Sequence, residues 1–138
     1  MIPMEEETSL ESIEKLVNHW VEGSDRDFNT MNNLYNSKDY SWSLFLGHLV
    51  IEKLLKALYI KNKHKHPIPI HDLTRIADRA GLECSVEQLN SLDTITTFNI
   101  NARYEDDKQY FYLKCTKEFS EYWINQITEL RLWIKSLL

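Results

Sequence analysis

A short polar segment between two stretches of helical pattern carries the side chains best suited to chemistry. It reads Asn101-Ala102-Arg103-Tyr104, and the acidic run Glu105-Asp106-Asp107 follows it directly. A guanidinium binds phosphate through two parallel hydrogen bonds and also stacks on aromatic rings. Arg103 beside Tyr104 therefore predicts a contact with an anion or a nucleotide, although the acidic run would repel a nucleic acid backbone.

Histidines and lysines form a second group of candidates. The stretch from Lys53 to His66 is rich in Lys and His and contains no acid, so it either contacts phosphate or complements a helix dipole. His64 and His66 alternate on a predicted loop, a spacing that matches a tetrahedral zinc site poorly. We therefore predict no metal site and no cofactor. His71 and Asp72 are better explained as the start of a helix that one of them caps.

Hydrophobic periodicity predicts the elements that hold these residues. Only three Gly and three Pro occur in the chain, which favours long helices over strands and turns. We predict an all-α fold, an up-and-down antiparallel bundle of four to five helices. The predicted spans are Thr8 or Ser9 to about Tyr35, about Tyr40 to Asn62, His71–Asp72 to Gly81, Ser85 through Phe98, and about Gln109 to Leu137. Thr8 is the preferred cap of the first helix, because Glu11 would complete a capping box.

Several polar residues fall on or near the apolar faces of the first two helices. His48 lies on the apolar face of the second helix and is expected to be a hydrogen-bonded core histidine. Asp27 lies beside the apolar stripe of the first helix, where a carboxylate needs a cation or a backbone donor. Glu52, Lys53 and Lys56 are interpreted as the polar strip of the second helix.

Length, charge and cysteine content limit the class of protein. The chain has 138 residues, which fits a single domain spanning 1–138, with 1–8 expected to be a disordered leader. Its formal net charge of −5 argues against a protein that wraps duplex DNA. Cys84 and Cys115 are expected to be free thiols. The acidic N-terminus lacks an apolar signal segment and no apolar run is long enough to span a membrane, so we predict a cytoplasmic protein.

Four pieces of the sequence together resemble the HEPN domain family, named for higher eukaryotes and prokaryotes nucleotide-binding. They occur in the order and at the spacing typical of that family, and the resemblance extends from about Ser9 to Leu138. The pieces are Trp20-Val21-Glu22-Gly23-Ser24-Asp25-Arg26-Asp27-Phe28, the segment from Phe45 to Leu58 with Glu52-Lys53-x-x-Lys56-Ala57, His71-Asp72-Leu73 and Ala102-Arg103-Tyr104.

The resemblance implies a helical bundle that forms a homodimer. Family members cleave RNA as toxins, pair with minimal nucleotidyltransferases, or bind nucleotides or RNA. The ribonuclease members carry an Arg, four to six residues, a His, and often a Tyr two positions later. Here Lys108 stands where the His would be and Tyr110 follows, but no His occurs after Arg103. Because lysine at its ordinary pKa is a poor base near neutral pH, this departure argues against catalysis.

Three hypotheses follow from the resemblance and the residues. The first is a module that binds a nucleotide or RNA-like phosphate, or a nucleotidyltransferase partner, without catalysis of its own. Its site residues would be Lys53, His71, Asp72, Arg103 and Tyr104.

The second hypothesis is a metal-independent, toxin-like ribonuclease that uses Arg103, Lys108 and Tyr110, or that recruits His48 or His71 in space. The third is a purely structural or interaction subunit. In a structural role, Arg103 would close the helix junction by pairing with Asp27 or Asp72.

Overall fold

The protein consists of helices and connecting turns throughout the part that the computed structural model describes. That part is residues 9–138, with the side chain of Glu105 left out. It contains six α-helices and no strand, which confirms the all-α bundle and adds one helix to the predicted range. The helices are α1 Leu10–Asn36, α2 Tyr40–Lys63, α3 Leu73–Arg79, α4 Val86–Asn101, α5 Glu105–Lys114 and α6 Lys117–Ser136.

Helix α2 is the centre of the bundle. It packs against each of the other five helices, most extensively against α1, to which a three-residue turn joins it. Thirteen of its residues are buried, including Leu44, Ile51, Leu54, Leu55 and Ile60. A helix that is apolar over most of its circumference must be covered on several sides, so the predicted central position of this helix is confirmed.

The ends of the helices follow the predicted capping chemistry with one exception. Ser85 and Gln88 form the predicted capping box at α4, and Gly81 takes a φ of +77° just after α3, where glycine is favoured. Helix α1 begins one residue later than the preferred prediction. Its cap is Ser9, whose side chain accepts a hydrogen bond from the backbone N–H of Ser12. Thr8 and the predicted leader 1–8 lie outside the described residues.

The prediction of one continuous last helix is wrong. The chain leaves helical geometry at Cys115, and Thr116 caps a new helix by accepting a hydrogen bond from the backbone N–H of Phe119. A threonine can satisfy the first amides of a helix and so offers the chain a place to break. Tyr112, predicted on the apolar stripe, is therefore 66% exposed on the short α5.

The interpretation of Glu52 and Lys56 as part of an exposed polar strip is also wrong. Each is only 5% exposed. Conversely, the apolar residues Val86 and Leu89 near the start of α4 are 73% and 38% exposed. The reason is that α4 packs on α2 and α3 through the later residues Leu92, Ile95 and Phe98, while its first turn projects beyond them. No helix within residues 9–138 is long and apolar enough to cross a membrane.

Candidate functional site

A buried carboxylate, Glu52 on α2, organises the polar cluster nearest the predicted site. Its Oε1 lies 2.8 Å from Nδ1 of His71, and its Oε2 accepts a hydrogen bond of 3.2 Å from Nζ of Lys56. Lys56 in turn lies 5.6 Å from the ring centroid of Trp20 on α1. Two buried opposite charges with further hydrogen bonds are mutually compensated. Through its contact with His71, Glu52 fixes the segment that precedes α3 against α2.

His71 is held so that one ring nitrogen is engaged and the other faces outward. Its Nδ1–H donates to the Glu52 carboxylate, which leaves Nε2 as the acceptor of the neutral ring. The side chain is 59% exposed although its carboxylate partner is only 7% exposed. The arrangement is that of an oriented imidazole whose free nitrogen can accept a proton or, when protonated, bind an anion.

His48 supports His71 from inside the bundle. Its Nε2–H donates to the backbone carbonyl of His71 at 2.9 Å, and its ring is fully buried. Burial is the largest influence on the pKa of His48 and lowers it. The charges of His71 and Arg103 lower this pKa further, whereas the hydrogen bond to the His71 backbone and the charge of Glu52 raise it. His48 is therefore a neutral, hydrogen-bonded core histidine, as predicted.

Arg103 lies at the surface, and the pairing with Asp27 or Asp72 expected for a structural role is wrong. The side chain is exposed, and its Nε–H donates to the backbone carbonyl of Asn99 at 3.0 Å. It pairs with neither Asp27 nor Asp72. Its guanidinium carbon lies 5.6 Å from the ring centroid of Tyr104, which is 56% exposed.

Helix α4 brings the Arg103 end of the chain toward His71. The backbone N–H of Leu73 donates to Oγ1 of Thr96 at 3.1 Å. Thr96 and Asn99 lie on α4 at a spacing of three, and Nε–H of Arg103, just beyond the end of this helix, donates to the Asn99 carbonyl. The positive charge of Arg103 lowers the pKa of His48, which agrees with this placement. The site thus combines one oriented histidine with one exposed arginine.

Two other predicted site residues are engaged elsewhere. Nζ of Lys53 forms an ion pair with Oδ2 of Asp27 on α1 at a distance of 2.6 Å. This is the cation expected beside Asp27. Asp72 caps α3 by accepting hydrogen bonds from the backbone N–H groups of Thr74 and Arg75.

The Arg103-Lys108-Tyr110 set does not converge on one face of the chain. Lys108 and Tyr110 are two residues apart on α5, which places them about 200° apart around a helix. Nζ of Lys108 lies 5.8 Å from the ring centroid of Trp42 on α2, whereas Tyr110 is 70% exposed. Within residues 9–138 no group of three His, Cys, Asp or Glu side chains is arranged to hold a metal ion.

The sequence also allowed Glu52 and Lys53 to complete a polar cluster in the bundle. Glu52 does so, but with Lys56 in place of Lys53, and the burial of Glu52 and Lys56 was missed. The available signal was their position: His48, Glu52 and Lys56 recur every fourth residue, and the stripe begins with a histidine predicted to be buried. A stripe that continues a buried residue at helical spacing is itself expected to be buried.

Comparison with known proteins identifies the family of the chain. No curated protein and no solved structure matches it. The HEPN domain family matches over residues 17–137, which include Glu52, His71 and Arg103. This match covers most of the chain, and the helical bundle described above agrees with it. The chain belongs to the HEPN domain family.

Proposed function

We propose that this HEPN domain binds a phosphate-bearing ligand, a nucleotide or RNA, at the surface formed by His71, Arg103 and Tyr104. The observation that carries the proposal is the 2.8 Å contact between His71 Nδ1 and buried Glu52 Oε1. It orients His71, and Arg103 lies close enough for its charge to lower the pKa of His48, the residue that bonds the His71 carbonyl. When Nε2 is protonated, this oriented imidazole beside an exposed guanidinium is complementary to a phosphate group.

Two features of Arg103 support the same ligand. Among the contacts of the described side chains, only Nε of Arg103 is used in an internal hydrogen bond, and the terminal nitrogens can then present their fork to a phosphate. The neighbouring Tyr104 ring lies within cation–π distance of the guanidinium and can itself stack on a base. Lys53 and Asp72, which are engaged in an ion pair and a helix cap, are left out of the proposed site.

A binding experiment tests this proposal. Binding of a fluorescein-labelled single-stranded RNA would be followed by anisotropy, with adenosine 5′-monophosphate and inorganic phosphate as competitors. Arg103→Ala is expected to weaken binding about tenfold or more, since a hydrogen bond to a charged group is lost. Arg79→Ala, another exposed arginine at the far end of α3, should have no effect. Unchanged affinity together with a lower melting temperature for Arg103→Ala would show a purely structural role.

Ribonuclease activity is the second candidate, and one observation favours a form that uses His71. A carboxylate behind an imidazole with an exposed nitrogen is an arrangement suited to general base catalysis. Nε2 of His71 would take the proton of a ribose 2′-hydroxyl, and the 2′-oxygen would attack the adjacent phosphorus. The products are a 2′,3′-cyclic phosphate and a 5′-hydroxyl, whose oxygen receives a proton from water. Arg103 would stabilise the charge of the phosphorane.

Incubation of RNA with the protein in the presence of a chelator tests the second candidate. Cyclic-phosphate ends are expected from the unaltered protein and not from His71→Ala. If RNA stays intact, or if cleavage survives both His71→Ala and Arg103→Ala, the protein is not a nuclease of this kind. Loss of cleavage in Lys108→Ala alone would instead favour the Arg103-Lys108-Tyr110 arrangement.

A role as an interaction subunit is the third candidate. Tyr110 and Leu113 lie one turn apart on α5 and are 70% and 65% exposed, an apolar pair suited to a protein contact. HEPN domains often pair with nucleotidyltransferases, as in toxin–antitoxin-like systems, and a second copy of this chain is the other proposed partner. Analytical ultracentrifugation of Leu113→Asp, alone and with a co-expressed minimal nucleotidyltransferase, tests both partners.

A further inference from the structure

A groove beside Arg103 has the size and lining of a nucleobase site. It lies between the first turn of α2 and the middle of α5, and its volume is about 270 Å³. Pockets for drug-sized molecules range from about 300 to 1,000 Å³, so this groove suits a single ring system. Its lining residues are Ser41, Trp42, Ala102, Lys108, Gln109 and Tyr112.

Two aromatic side chains line this groove and are accessible to a flat ligand. Trp42 is 41% exposed and Tyr112 is 66% exposed. Trp42 meets Phe45 edge to face, with an interplanar angle of 88°. Nζ of Lys108 lies over the Trp42 ring, 5.8 Å from its centroid, so a ligand on this face would share it with Lys108 or displace that side chain. A base binds such faces by stacking.

Polar groups in the groove match the edge of a base. Gln109 carries an amide that both donates and accepts hydrogen bonds, and Ser41 carries a hydroxyl that does the same. Amide side chains recognise the edges of bases through paired hydrogen bonds. The lining therefore offers both stacking surfaces and edge contacts.

The position of Ala102 connects the groove with the phosphate site. Ala102 lines the groove, and Arg103 is the next residue in the chain. We propose that the groove between α2 and α5 binds the nucleobase of the ligand whose phosphate Arg103 contacts. This inference rests on the phosphate site proposed above and names its ligand as a nucleotide or an unpaired nucleotide of RNA.

The acidic residues of α5 restrict this ligand to a short one. Asp106 and Asp107 are exposed and precede Lys108 by two and one residues, so they lie about 200° and 100° away from it around the helix. They leave the groove side to Lys108 and Tyr112 and place their negative charge at the first turn of α5. A single nucleotide in the groove avoids these charges, whereas a long strand crossing α5 does not.

The test separates the base from the phosphate. Binding of adenosine 5′-monophosphate and of ribose 5-phosphate would be measured by calorimetry. A hexanucleotide RNA and its abasic analogue form a second pair of probes. We expect the base-containing member of a pair to bind about tenfold or more tightly, in keeping with the strength of base–aromatic stacking. Tyr112→Ala and Trp42→Leu should each reduce this preference, whereas Tyr122→Ala, which alters an exposed tyrosine on α6, should not.

The possible results distinguish this inference from the function on which it rests. Equal binding of both members of each pair, with both weakened by Arg103→Ala, would overturn the base groove and leave the phosphate site intact. Binding that Arg103→Ala does not weaken, or no binding of any probe, would overturn both. A changed sedimentation mass for Trp42→Leu without a changed base preference would assign the groove to a protein contact and overturn the inference. A preference seen only in the RNA pair supports the groove and identifies RNA as the source of the base.

Discussion

Glu52 and His71 are joined by a 2.8 Å contact between Oε1 and Nδ1 across 19 residues of sequence. The contact joins the buried centre of α2 to the non-helical segment that contains Pro67 and Pro69, and it orients the imidazole on the surface. Because Glu52 also accepts a hydrogen bond from Lys56, one carboxylate serves both the stability of the bundle and the geometry of the proposed site.

The first prediction concerns this carboxylate. Glu52→Gln leaves Lys56 buried without its counter-charge, and breaking a buried ion pair in this way costs about 3–5 kcal/mol. We expect a decrease of that size in the free energy of unfolding, measured by urea denaturation. The exposed pair Glu11–Lys15, with side chains 79% and 77% exposed, provides the control. Glu11→Gln should change stability by less than about 1 kcal/mol.

A double variant tests whether the loss comes from the unpaired lysine. Replacing Glu52 by Leu and Lys56 by Met removes both charges and keeps similar volumes, a change that is often neutral or stabilising. We expect this protein to be more stable than Glu52→Gln but to bind RNA less well, because His71 loses its orienting carboxylate. A double variant as unstable as Glu52→Gln would contradict the explanation by an unpaired charge.

The second prediction concerns the pH dependence that His48 adds to stability. Burial holds the pKa of His48 below its ordinary value of 6.5, so the unfolded chain takes up a proton at this residue before the native protein does. The free energy of unfolding should therefore fall as the pH decreases from about 7.5 to about 5.5, by at most about 1.4 kcal/mol per pH unit for one proton.

Denaturation curves at several pH values would measure this contribution. His48→Gln keeps a donor for the His71 carbonyl and removes the titrating group, so its stability should depend less on pH in this range. His19→Gln alters an exposed histidine and should keep the dependence of the unaltered protein. The same slope in His48→Gln and in the unaltered protein would assign the dependence to other groups.

The sequence was sufficient to predict α1 to α4 and their order, because periodicity and caps are local properties, but it did not predict the break between α5 and α6. Ser85, Gln88 and Gly81 lie at helix ends for reasons that act within a few residues. The contact of Glu52 with His71 was not predictable in this way, since it depends on the return of the 64–72 segment over α2. The exposure of Arg103 likewise depends on how α4 lies against α3, which no local pattern encodes.

The third prediction concerns the close packing of three helices at Gly47 on α2. A Cβ at this position would overlap Cδ1 of Ile127 on α6 and would lie 3.2 Å from Sδ of Met31 on α1. Both neighbours are fully buried. Overpacking of this kind costs about 1–3 kcal/mol, so Gly47→Ala should lower the free energy of unfolding by about that amount.

A compensating variant provides the control for Gly47. Ile127→Val removes Cδ1 and alone costs about 0.5–1.5 kcal/mol. If the overlap with Ile127 is the cause, the double variant should be more stable than the sum of the two single changes allows. Strictly additive effects would show instead that Met31 or the backbone of α2 limits the packing.

The last prediction uses Cys115, which lies at the break between α5 and α6. Burial raises the pKa of the Cys115 thiol to about 12, and the thiolate is the form that reacts. In a Cys84→Ser variant, Cys115 should therefore react with a disulfide reagent near pH 8 only when local or global unfolding exposes it. Cys84 in a Cys115→Ser variant is half-buried and should react faster.

Because Phe111 and Cys115 are the buried residues of the described part of the α5 segment, the rate at Cys115 measures how often α5 leaves the bundle. A rate equal to that of the urea-denatured chain would mean that α5 is not held in place by these two contacts, and a groove between α2 and α5 could then not form.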